Sequence, residues 1–122
     1  MNRNTPLKLD EATQTIFVAG RTPGRLFVFD ATVGSLIASM DCVDMADDLT
    51  WDPMSHRIYV TGSGGVSVFE QKAKNNYVTL IQTTAIGGKT SIYVPELKQF
   101  YVVHPKAEVG DEAKLLIYRA KQ

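Results

Sequence analysis

Four aspartates fall within eight residues in Asp41-Cys42-Val43-Asp44-Met45-Ala46-Asp47-Asp48, the densest run of ionisable groups in the chain. Carboxylates this close together could supply the roughly six to eight oxygens that Ca2+ takes. The run lacks the glycine turn and closing glutamate of a helix-loop-helix calcium site, so Ca2+ is the minor reading. The favoured one is that these carboxylates accept backbone N–H bonds in turns. His104 could serve as a general base or metal ligand. The chain has only two histidines, and His56 is expected in a turn at the opposite end, so no paired His site forms. Gly62-Ser63-Gly64-Gly65 has the composition of a phosphate loop, but no Lys-Ser/Thr pair or helix follows it, and a hairpin turn is expected. Ser63 and Ser91 have no nucleophile-elbow context, and no His stands beside Cys42 in the sequence.

These residues belong to a chain of 122, the size of one domain. Apolar residues make up 44% and charged residues 21%. Thirteen Lys and Arg balance 13 Asp and Glu, giving zero net charge. That balance removes the electrostatic argument for nucleic acid or an anionic membrane as partner. The single Cys42 excludes an intrachain disulfide and a cysteine zinc site, and leaves the compartment open. No apolar run approaches about 18 residues, so no membrane-inserting helix is expected. The first residues lack the apolar core of a secretory signal. As written the chain reads as cytoplasmic; a truncated N-terminus would equally suit a periplasmic or secreted protein.

The elements that must position these groups recur. Arg57-Ile58-Tyr59-Val60-Thr61-Gly62 has counterparts in Thr15-Ile16-Phe17-Val18-Ala19-Gly20 and Gln99-Phe100-Tyr101-Val102-Val103-His104, with 58 − 16 and 100 − 58 both equal to 42. Around each copy, runs of four to six residues rich in Phe, Val and Ile are divided by Gly, Pro, Asp and Ser turns, the pattern of consecutive antiparallel strands. No apolar set recurs at helical spacing. Strands such as 16–19 and 26–29 are apolar on both faces, so each small sheet is covered on both sides. A four-stranded unit of about 40–45 residues stacked face to face with its neighbours is the blade of a β-propeller. The expected fold is therefore all-β: about three four-stranded blades near 7–42, 47–84 and 90–119, the last without its outer strand.

Innermost strands are expected near 7–9, 49–51 and 91–94. Propeller ligands gather at the channel mouth, where the loops leading into these strands converge with the turns between second and third strands. The first kind of loop carries Asp41, Asp44, Asp47, Asp48 and Lys89; the neighbouring turns carry Arg21, Arg25, His104 and Lys106. From these, Arg21, Asp47, Asp48, Lys89 and His104 are expected to form a ligand-binding rim. No catalytic or metal-ligating residue is assigned.

Tyr59-Val60-Thr61-Gly62 is close to the tetrapeptide that names the YVTN-repeat β-propellers. Phe27-Val28-Phe29-Asp30-Ala31-Thr32-Val33-Gly34 resembles the strand, Asp and Thr-Gly turn that follow it in that family. The resemblance runs from about Leu7 to Arg119, although the third copy ends in Val103-His104. It implies a propeller of the binding or surface type, without a shared catalytic motif. The alternative is a propeller enzyme of the lactonase or quinoprotein type with a metal in its channel. That would need Glu and Asn or Asp converging on one cation, and the expected channel strands carry no Glu. A binding or scaffold role is therefore favoured over an enzyme.

Three blades are too few to close a ring. The two end sheets would expose apolar faces, with Phe17, Phe27, Phe29, Tyr101 and Tyr118 on one side or the other, and the last strand would be an open edge. Two arrangements resolve this. Two chains could close a six-bladed ring by self-association, or missing N-terminal blades could make this the C-terminal part of a longer propeller.

Overall fold

The computed structural model describes residues 6–83, 90–94, 97–104 and 114–119, and among them it contains eleven strands and no helix. The first sheet is β1 (Leu7–Asp10), β2 (Thr15–Arg21), β3 (Gly24–Asp30) and β4 (Leu36–Asp41). The second is β5 (Ala46–Asp52), β6 (Arg57–Gly62), β7 (Gly65–Ala73) and β8 (Asn76–Thr83). The third, among the described residues, has β9 (Thr90–Val94), β10 (Gln99–His104) and β11 (Lys114–Arg119). Every pairing is between consecutive antiparallel strands. Inner strands β1, β5 and β9 lie side by side, and the sheets stack as blades. Among the described residues the chain is all-β and forms three stacked blades of a β-propeller.

The strand ends follow from local chemistry. Asp10 takes hydrogen bonds from the Ala12 amide and the Thr13 hydroxyl; Asp52 takes them from the Met54 amide and from the amide and hydroxyl of Ser55. These side-chain acceptors close the inner hairpin turns by standing in for backbone carbonyls. The inner hairpin turns of all three blades, including the third turn, which begins at Val94, end in a left-handed residue: Gln14 at φ 55°, His56 at 58° and Lys98 at 52°. The repeat thus reaches down to single backbone angles. Bulges fall at Val28/Phe29 and at Val68/Phe69, where the third strand of each of these sheets meets the fourth. A bulge adds local twist, which turns the outer strand away from the inner ones.

Alternation sorts each strand onto two faces. In the first blade, Phe17 pairs with Val28 and Ala19 with Leu26; these four side chains are buried against Leu49, Ile58, Val60 and Phe69 of the second blade. The opposite face of the second blade carries Tyr59, Val66 and Val68, packed on Tyr93 and Phe100 of the third. Phe17, expected on an end face, is instead fully buried between blades one and two. The reason is period two: Phe17 shares its face with Val28, whereas Phe27 and Phe29 share the other face with Val18 and Ile16. Tyr101 follows Phe100 and so alternates onto the face of the third blade turned away from the second. Tyr118 stands opposite Phe100 in the register, and its side chain is outside the described set.

Candidate functional site

β2, β6 and β10 run toward the same end of the stack, where β5 and β9 begin. This end is built on the connector that leads from outer β4 of the first blade to inner β5 of the second. Cys42 donates its amide to the Gly24 carbonyl at 3.2 Å, and Met45 donates to the Arg21 carbonyl at 2.8 Å. Val43 donates to Ser67 Oγ at 3.0 Å, and that hydroxyl donates to Gln82 Oε1 at 3.1 Å. The turn beside it must come very close: a Cβ on Gly62 would lie 2.2 Å from the Met45 carbonyl oxygen. Met45 itself is left-handed, at φ 61°.

The acidic cluster is spent largely on this scaffold. Asp44 Oδ1 accepts from the Gly24 amide at 2.6 Å, and Asp48 Oδ1 from the Leu49 amide at 2.9 Å. Asp41 pairs with Arg25, whose other nitrogen reaches Ser39 Oγ at 3.0 Å. Asp47 pairs with Arg21 at 3.2 Å. Among the described residues, no three His, Cys, Asp or Glu side chains converge as metal ligands. Cys42 is buried and donates to the Val43 carbonyl. Burial, followed by the nearby Asp44 and Asp41 carboxylates, pushes its thiol up to about 12. It is a packed apolar side chain at neutral pH, with essentially no thiolate to act as a nucleophile.

Of the five expected rim residues, Arg21 and Asp47 are brought into contact, and Asp48 follows Asp47 on the same strand. Asp47 and Asp48 sit inside β5 rather than in the loop before it, because β5 begins at Ala46 and is bulged between Ala46 and Asp48. Arg25 likewise belongs to β3 and not to a turn. His104 is the last residue of β10, at the same end as Arg21 by strand direction. Lys89 lies outside the described residues. His56 is in the β5–β6 turn at the other end, its ring edge-on to Trp51 at 5.9 Å.

The Arg21–Asp47 pair joins the first blade to the second, since β2 and β5 belong to neighbouring sheets. Both side chains are partly exposed, 17% and 26%, so they hold charge at the surface without full desolvation. Arg21 Nε is buried and makes no hydrogen bond. At the opposite end Asp30 and Lys74 bridge the same two blades at 3.2 Å. Hydrogen bonds from the Thr32 hydroxyl and amide, then Lys74, lower the Asp30 carboxyl to about 2. Sequence reasoning missed this second bridge and the structural use of Asp10 and Asp52. Only the Asp-x-x-Thr/Ser spacing of the two turns could have signalled the latter.

No protein-family model matches the chain, and no curated protein matches it in sequence. Among solved structures, a chain of the mitotic checkpoint complex superposes with a TM-score of 0.74 at 15% identity, covering 96% of this chain and 36% of that one. The present chain therefore spans about a third of its neighbour. At this identity the likeness concerns fold alone, and the fold it defines is the β-propeller.

Proposed function

We propose that this chain is a non-catalytic β-propeller module of the YVTN-repeat kind that binds a ligand or protein partner at the rim formed by Arg21, Asp47, Asp48, Lys89 and His104, and that it self-associates to complete a ring. One observation carries the preference for binding over catalysis. Asp44 and Cys42 are engaged within the connector, while Arg21 and Asp47, paired across the blade boundary, keep both charges partly exposed at this end. Rims bearing both signs of charge favour orientation-specific docking over general attraction.

The test is selection of a displayed peptide library on the wild-type chain, with counter-selection on Arg21→Ala/Asp47→Ala. Clones that bind wild type and fail on the double variant are expected. Clones that bind both equally, or no enrichment at all, would overturn the rim assignment.

A further inference from the structure

The two interfaces already present obey one rule. A ring on the second strand of a blade inserts between the first and second strands of the next: Phe17 against Trp51 at 5.0 Å with Ile58 beside it in the same cluster, then Tyr59 against Tyr93 at 5.1 Å and Phe100 at 4.8 Å. Forty-two positions separate each ring and each receptor from its counterpart. By the same register the first blade holds Leu9 and Ile16 where the second holds Trp51 and Ile58 and the third holds Tyr93 and Phe100. The third blade holds Tyr101 where the earlier ones hold Phe17 and Tyr59.

The receiving face of the first blade is open along its inner and outer strands, with Val18 buried at its centre. Leu7 and Leu9 are 57% and 47% exposed, and Leu36 is 55% exposed. Phe27 and Phe29, stacked at 6.3 Å, are only half-buried. The corresponding face of the second blade is closed by the first, and there Leu49, Ile58 and Phe69 are all fully buried. The difference between these two faces is what another blade would cover. Among the described residues no unpaired charge interrupts it: Arg25 stands at its rim edge paired with Asp41.

We propose that the open face of blade one is the seat for blade three of a second copy, with Tyr101 of one chain inserting against Leu9 and Ile16 of the other. The interface is head-to-tail, and two such contacts related by a two-fold axis close three blades and three blades into a ring. The inference rests on the self-association reading above and specifies the residues that carry it. It also makes the rim a feature of the assembled ring, because each blade-three edge then borders the other chain's blade one.

The test is sedimentation of the wild-type chain at micromolar concentration, followed by treatment of Leu9→Cys/Tyr101→Cys with a short bismaleimide. Cys42 is buried and serves as the internal control in wild type. Twice the chain mass for wild type, and a covalent dimer with nothing larger for the double variant, are expected. Leu9→Glu, at a site half exposed in the single chain, should keep the strand-type circular dichroism spectrum and sediment as a monomer. A wild-type monomer would overturn self-association itself. A wild-type dimer in which the cysteines do not cross-link, or which Leu9→Glu leaves intact, would overturn this interface while sparing the ring reading. A ladder of larger covalent species would overturn closure.

Discussion

The Phe17 ring packs on the Trp51 ring with centroids 5.0 Å apart and planes inclined by 35°. Tyr59 and Tyr93, each 42 positions later, repeat the contact at 5.1 Å. The ring pair is the joint between successive blades, and Phe17 is its most enclosed member, fully buried. Phe17→Ala should destabilise the chain by about 3–5 kcal/mol, the range for a large buried aromatic whose site cannot collapse. Urea unfolding followed by Trp51 fluorescence measures it, and a loss below about 1 kcal/mol would show that the blades are held elsewhere.

Tyr59 brings a phenol into the second joint. Its Oη is buried without a well-formed hydrogen bond, and burial raises the phenol while the neighbouring Arg57 side chain lowers it, so the hydroxyl's desolvation cost is offset only in part. Tyr59→Phe keeps the ring contacts with Tyr93 and Phe100. Stability should stay level or rise by up to about 1 kcal/mol. A drop of that size in thermal or urea unfolding would reveal a bonded phenol.

Glycine at 62 is required by approach rather than by φ. A methyl group there would meet the Met45 carbonyl oxygen at 2.2 Å and the Ala46 Cα at 2.8 Å. Gly62→Ala should therefore displace the β4–β5 connector and lower the melting temperature sharply. Gly34→Ala makes the informative comparison. No atom lies within 4 Å of its would-be Cβ, so only the left-handed strain at φ 76° opposes it. The loss at 62 should exceed that at 34; equal losses would remove the connector from the account.

The Asp30 carboxyl is lowered from 3.8 to about 2 by the Thr32 hydroxyl and amide, with Lys74 adding to the effect. A depressed folded value means the folded state binds the proton less readily than the unfolded chain. Its stabilisation is complete above about 3.8 and fades as pH falls toward about 2. Asp30→Asn should remove this part of the acid sensitivity. Equilibrium unfolding of both chains between these limits should show a shallower fall for the variant, and parallel curves would locate the acid-sensitive group elsewhere. The carboxylate is in contact with solvent, its side chain 21% exposed, so screening keeps the effect small.

Cys42 should resist alkylation in the native state at mildly alkaline pH and react fully in denaturant, since its thiol is buried and held up near 12. Mass spectrometry after iodoacetamide reads both conditions. Rapid native labelling would show that the connector opens.

Adding Ca2+ should leave the melting temperature unchanged, because Asp41, Asp44 and Asp47 already have partners in Arg25, the Gly24 amide and Arg21. A ligand that binds only the folded state must raise it, so an upward shift would restore the metal reading of the cluster.

Much of the architecture was legible in the residues themselves. The 42-residue register of Ile16, Ile58 and Phe100, the Gly, Pro and Asp punctuation and the two-faced apolar strands are local properties, and they yield consecutive antiparallel hairpins stacked as blades. Strand identity and order therefore need no information beyond the chain's own pattern. Three things did need the tertiary structure. The first is which apolar face meets which neighbour: Phe17 and Phe27 look alike in sequence, and only their partners across the sheet, Val28 and Val18, send one to the interior and leave the other on the open face. The second is what the aspartates do, since Asp44 finds its donor at Gly24, 20 residues away, and Asp47 finds Arg21 across a blade boundary. The third is the length of β5, which takes Asp47 and Asp48 out of the expected loop through a bulge opposite β6. Period-two patterning tells a strand that it has two faces, but a side chain's partner lies on another segment, and its position is set only when the blades pack.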